Sequence, residues 1–196
     1  MPRRERLARR RPALREPRPR LLVVCGAEKT ESAYLSGLRD HRGVSSVDVR
    51  IVQRPRSPDQ VVEYARDHCD YRDFDETWCV VDVDRYEVDG QKITTASTVA
   101  VTAGIRLAVS NPCFEYWLLL HHAYSGAPFP QCDAVKARLG KYVPAYDKTA
   151  LQFRDFAEGV DEAVTRAKRR DSSGTAHLTN PSSGMWVLVE RMRAEP

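Results

Sequence analysis

The chain is poor in cysteine and lacks the spacings that would make its cysteines a scaffold. Cys25, Cys69, Cys79, Cys113 and Cys132 are odd in number, and no CxxC pair or Cys/His cluster occurs. A disulfide framework or a structural zinc site is therefore not expected. No run of eighteen apolar residues exists, and the longest candidate, Phe114 to His122, is too short to span a bilayer. The N-terminus is positively charged, but Arg and Pro continue to Arg20 where a secretory signal would turn apolar. Glu5, Glu16 and four prolines in the same stretch count against a mitochondrial presequence, so the expected location is the cytoplasm. There is no Gly-rich phosphate loop of Walker type, which argues against nucleotide hydrolysis by this chain alone. No Ser-His-Asp pattern is readable either.

What is present is an ordinary globular composition, 42% hydrophobic and 30% charged over 196 residues, enough for one well-cored domain. The formal charge of +4 is unevenly distributed. Residues 1–20 hold nine Arg and two Glu, whereas the remainder has 22 basic and 25 acidic residues. Residues 1–20 read as a disordered Arg-rich arm, able to attract phosphates by counterion release but also readable as a solvated leader without a fixed partner. Residues 21–196 read as a single domain.

Within it, Leu21 to Cys25 is a short, β-branched apolar run, hence a buried strand. Gly26 breaks it, and Thr30 is placed to cap a helix carrying Tyr34, Leu35 and Leu38, with Glu31 in its first turn. Residues 47–52 alternate like an edge strand. A helix over 59–68, a strand over 77–82, a helix near 91–103 and a strand over 105–109 follow. This alternation predicts an α/β fold, an open and mostly parallel sheet of about four strands flanked by helices. Extra C-terminal helices are expected near 113–124, 133–139, 154–170 and 181–193.

The chemistry concentrates where strands end. Asp82 and Asp84 close the strand Thr77–Asp82 and its continuation, and their spacing of two puts both carboxylates on one side. Such a pair repels unless a proton or cation intervenes, and magnesium suits it. The competing reading is an acidic turn with Arg85 as counterion. Asn111 is placed to cap the helix after the fourth strand, where free amides suit a phosphate, and Glu115 follows in the first turn. Glu115 either completes the acidic cluster or answers the helix dipole. Lys141, Tyr142 and Lys148 interleave cations with aromatics (Tyr146 lies between them), a pattern for a nucleic-acid path or for a solvated loop. Phe114, Trp117, Leu118 and His121 read as packing. Arg166, Lys168, Arg169 and Arg170 read as an exposed basic face, and Asn180 to Ser183 as a helix cap.

The order of these segments resembles the RloB-like family. Cys25-Gly-Ala-Glu-Lys-Thr-Glu-Ser-Ala-Tyr34 is similar to its opening motif, Asp82-Val-Asp84 to its paired aspartates, Ser110-Asn-Pro-Cys-Phe-Glu-Tyr-Trp-Leu-Leu-Leu-His121 to its most distinctive stretch, and Asn180-Pro-Ser-Ser183 to its closing motif. The family in turn resembles Toprim domains, which use a glutamate after the first strand and a DxD pair to bind magnesium for phosphodiester chemistry. The resemblance implies a Mg2+- or Mn2+-dependent nuclease with Asp82, Asp84 and Glu31 on the metal and Glu115 as a further ligand or base. It also implies a setting, a bacterial antiphage locus with an ATPase partner. The family's usual glutamate after the first strand is Gly26 here, with Glu31 or Glu28 left to fill the space. That departure keeps a second reading open, a catalytically weak nucleic-acid-binding or scaffold subunit. A metal-dependent enzyme acting on small phosphorylated molecules is a third.

Overall fold

The computed structural model describes residues 18–27, 29–41, 47–68, 73–83 and 90–194. The Arg-rich stretch 1–17, Glu28, Cys69 and Asp84 lie outside the described residues.

Five strands form one sheet: β1 (Arg20–Cys25), β2 (Asp48–Gln53), β3 (Glu76–Asp82), β4 (Arg106–Asn111) and β5 (Ser182–Ser183), in the order β2-β1-β3-β4-β5. The first four are mutually parallel, each reached through a helical crossover, and β5 runs antiparallel to β4. The helices are α1 (Thr30–His41), α2 (Pro58–His68), α3 (Gln91–Thr102), α4 (Phe114–Leu120), α5 (Cys132–Leu139), α6 (Val160–Arg170) and α7 (Met185–Arg193). The fold is therefore α/β with a mostly parallel open sheet, as expected, with one strand more.

Side chains of successive residues alternate between the two faces of a strand, and this sorts the core. Leu21, Val23 and Cys25 of β1, with Trp78 and Val80 of β3, join the larger core that includes Tyr34, Phe114, Trp117 and Leu188. Leu22 and Val24, with Cys79 and Val81, face Val61, Val62 and Ala65 of α2 and Ile93, Ala96 and Ala100 of α3. Cys25 and Cys79 are thus packing residues, as the apolar runs predict. Every residue of α4 is buried, so this short helix lies inside the larger core rather than on its surface. Trp117 packs edge-on against Tyr34 and His121, and removing such a buried aromatic costs roughly 3–5 kcal/mol.

Several sequence expectations change on folding. The helix expected over 113–124 ends at Leu120, and the stretch expected as a helix from 154 begins with two 3-10 turns, Phe153–Asp155 and Ala157–Gly159. A side chain at Gly159 would put its Cβ 2.5 Å from the His121 carbonyl oxygen, so the close approach needs glycine. The closing Asn180–Ser183 motif is a clamp and a strand rather than a helix cap. Asn180 pairs through its amide with both the N–H and the carbonyl of Phe129, and Ser183 Oγ meets Ser110 Oγ at 3.0 Å. The basic residues of α6 are partly exposed, Arg169 most of all, but each is engaged. Arg166 donates to the carbonyls of Leu120 and His121, Lys168 pairs with Glu190, Arg169 lies over Tyr124, and Arg170 donates to the Pro181 carbonyl. Among the described residues no helix is long and apolar enough to cross a membrane.

Candidate functional site

The strand order fixes where a site can form. The chain leaves β1 toward β2 on one side and continues through β3 and β4 on the other, so crossovers diverge at the carboxyl ends of β1 and β3. Such a switch point opens a crevice that helices leave uncovered. A cavity of about 370 Å³ lies there, bordered by Gly26, Glu31, Asp82, Cys113, Glu115 and Cys132.

Glu31 reaches it because α1 starts immediately after the loop that ends β1. The helix is entered at Thr30, whose hydroxyl does not cap it but donates to the Lys148 carbonyl at 2.8 Å, tying the 141–150 loop to the site. Glu31 turns back, and the Ala27 amide donates to its Oε2 at 3.1 Å. Burial raises the Glu31 carboxyl from its ordinary value of 4.5 to about 8; the Glu115 charge adds to the rise, and the Ala27 and Gly26 amides oppose it. Asp82 ends β3 half-buried, with its Oδ1 shielded from solvent. Glu115 lies in the first turn of α4 and is buried; Tyr146 donates to its Oε1 at 3.3 Å. Burial pushes the Tyr146 phenol far up, with the Glu115 and Asp82 charges adding to it, so both carboxylates act on one hydroxyl.

Three of the four acidic residues singled out in the sequence, Glu31, Asp82 and Glu115, therefore border one cavity; the fourth, Asp84, lies outside the described residues. Their chemistry fits a hard divalent cation, which takes oxygen ligands and would relieve both the repulsion and the burial of the carboxylates. The three do not close into a tight cluster. Among the described residues, the one group of three His, Cys, Asp or Glu ligand atoms all within 4.8 Å of one another is Cys113, Glu115 and Cys132. An ion shared by the carboxylates would keep water in its shell, as magnesium does.

Gly26 also borders the cavity and continues the sheet, donating to the Val80 carbonyl at 2.8 Å. A Cβ there would stand 3.2 Å from that oxygen and 3.4 Å from Val81 Cγ1. The backbone at this position is thus drawn tight against β3, and a glutamate would need a shift of a few tenths of an ångström.

The residues expected on nucleic acid separate. Lys148 is exposed at the cavity rim with Lys29, Arg56 and Lys136. Lys141 and Tyr142 do not border that cavity; Tyr142 stacks on His122, with ring centroids 5.6 Å apart. Asn111 neither caps α4 nor presents itself to a ligand. It is buried at the end of β4, where its Nδ2 donates to the His177 carbonyl, and the N-cap of α4 is Cys113 without a side-chain cap. His121 is a packing residue, as expected, joined to the Tyr34 hydroxyl and the Trp117 carbonyl.

Sequence reasoning missed the sulfurs. Cys113 and Cys132 form a disulfide, against the expectation that no such bond would occur. They are separated by 19 residues and meet because α5 packs on α4. No spacing in the sequence announces that contact. The sequence pattern offers Tyr146 a nucleic-acid path or a solvated loop, and neither points to its hydrogen bond with Glu115, 31 residues away.

No curated protein and no solved structure matches the chain. The family model for RloB-like proteins matches residues 21–192, which takes in all of the sheet but Arg20 and nearly all of α7. The motifs at the strand ends and the extent of that match agree, and the chain belongs to the RloB-like protein family.

Proposed function

We propose that this protein is a metal-dependent nuclease, hydrolysing phosphodiester bonds at the cavity between the ends of β1 and β3. The observation that carries the reading is the meeting of Glu31, Asp82 and Glu115 in one cavity whose rim holds Lys29, Arg56, Lys136 and Lys148. An acidic floor with a basic rim suits a polyanion that reaches a cation. The rim lysines and arginine contact phosphates and position the strand, while the floor carboxylates hold Mg2+ or Mn2+. When bound, such a metal neutralises charge on the scissile phosphate and lowers the pKa of an attacking water. Asp82 and Glu31 are its proposed ligands together with Asp84, and Glu115, oriented by Tyr146, is a further ligand or the base that takes the proton from water. The family setting extends the proposal to an effector subunit in a bacterial antiphage system with an ATPase partner, working in the cytoplasm.

The second reading, a nucleic-acid-binding or scaffold subunit that does not cut, is favoured by one observation. Gly26 stands where the family usually carries glutamate, and the Glu31 carboxylate already accepts the Ala27 amide. One experiment separates the two. Purified protein is incubated with plasmid, single-stranded DNA and tRNA, with magnesium or manganese against chelator. Metal-dependent cleavage that disappears in Asp82→Ala and Asp84→Ala is the expected result. Binding without cleavage, unchanged by either substitution and weakened by deleting residues 1–20, would establish the scaffold instead.

A further inference from the structure

Two sulfur atoms stand beside the carboxylates. Cys113 precedes α4 and Cys132 opens α5; they are 2% and 5% exposed, yet both border the cavity that Glu31 and Asp82 border. Cys132 Sγ lies 3.3 Å from Glu115 Oε2. Two sulfurs and one carboxylate oxygen around a point are the donor set of a borderline-soft ion of the zinc class, and a poor one for magnesium. Three protein ligands in a cavity wall also leave a fourth position facing the cavity, the open arrangement of zinc sites that bind water or a ligand.

We propose that Cys113, Glu115 and Cys132 form a zinc-class site that the disulfide closes and its reduction opens. A dithiol supplies two electrons and two protons to the S–S bond and is itself oxidised to a disulfide, leaving two thiols. The ion then displaces both thiol protons to solvent and holds two thiolates and the Glu115 carboxylate. In a tetrahedral thiolate site, bonds of about 2.3 Å put the sulfurs about 3.8 Å apart. The Cα atoms stand 5.7 Å apart, and one ligand atom from each of Cys113, Glu115 and Cys132 already lies within 4.8 Å of the others. Glu115 links this site to the acidic one. Tyr146 holds its Oε1, and Cys132 Sγ lies beside its Oε2, so a soft ion would take the residue out of the carboxylate set. That last consequence rests on the hard-ion reading above; the soft-ion site does not.

The test is cobalt(II) titration of the full-length protein, reduced with a phosphine, desalted anaerobically and compared with the unreduced protein. The reduced protein should take up one equivalent more than the unreduced protein, with near-ultraviolet thiolate-to-metal absorption and visible bands of tetrahedral cobalt that zinc abolishes. The unreduced protein should show neither, and Cys113→Ser and Cys132→Ser should each lose both. A reduced protein with two additional titratable thiols and no such bands would overturn the proposal, as would bands that persist in either serine variant. Failure of the phosphine to release those thiols in the folded protein would overturn it too. Manganese binding, followed by electron paramagnetic resonance in wild type and Asp82→Asn, reports on the acidic site separately. Its absence with the cobalt bands intact would remove the hard-ion reading alone.

Discussion

Substituting Glu31 by Gln asks whether a carboxylate is being held against its own charge. In the folded, metal-free protein burial raises this carboxyl from 4.5 to about 8, so the native state keeps a proton that the unfolded chain releases. Between those two values the folded protein binds more protons than the unfolded one, and stability therefore falls as pH rises. At pH 7 the loss relative to acid conditions is about 3 kcal/mol, from roughly 2.5 pH units above the unfolded value at about 1.36 kcal/mol each. Gln has a similar shape and no charge to release. The Ala27 amide can still donate to its side-chain oxygen. Urea denaturation in chelator at pH 5, 7 and 8.5 measures the effect. The wild type should lose about 4 kcal/mol relative to Glu31→Gln across that range, and titrating groups remote from Glu31 cancel in the difference. Magnesium or manganese should stabilise the wild type more than the variant, which keeps the other carboxylates of the site but lacks this one. Parallel pH profiles for the two proteins would refute the argument that burial makes Glu31 keep its proton.

Four further outcomes follow from particular contacts. Tyr34→Phe removes the hydroxyl that meets His121 Nε2 at 2.9 Å inside the core, and should cost about 1–3 kcal/mol in chemical denaturation. Burial also lowers His121 to about 3 from 6.5, so this histidine withdraws stability as pH falls below 6.5; replacing it with Gln should flatten that acid limb relative to wild type. Asp171→Ala strips the acceptor of the Ser173, Gly174 and Ala176 amides and should destabilise by about 2–4 kcal/mol, with the 171–176 turn the first segment to gain amide exchange. Lys148→Ala should reduce the salt dependence of single-stranded DNA binding by about 0.7 in the slope of log affinity against log salt, while Lys141→Ala, away from the cavity rim, should leave it unchanged.

The parts of this molecule legible in its sequence are those written in local pattern. The apolar runs of β1 and β3 announce buried parallel strands, and the carboxylates at their ends fall at the crevice because strand order and crossover rules put it there. The stripe of Tyr34, Leu35 and Leu38 likewise fixes the buried side of α1. What could not be read depends on partners distant along the chain. β5 is two serines with no alternation to detect, and it exists because Ser183 meets Ser110 across 73 residues. Asn111 has the composition of a cap, but its amide is engaged by a carbonyl 66 residues away. The arginines of α6 look like a solvated face until the carbonyls ending α4 accept from one of them. The acidic site shows the same division, with the carboxylates visible and their neighbours Tyr146, Cys113 and Cys132 supplied by tertiary packing.

The two-residue strand near the C-terminus has a consequence for any shortened form of the chain. β5 occupies the outer side of β4 at Ser110 and Asn111, and α7 follows it with Met185, Leu188, Val189 and Met192 turned inward. A chain stopped at 181 would keep the acidic residues and all four parallel strands. It would also leave backbone donors, acceptors and a greasy flank of the sheet uncovered beside them, a template for strand-to-strand association. Such a fragment should come out of cells as aggregate, and a failed activity test on it would say nothing about the carboxylates.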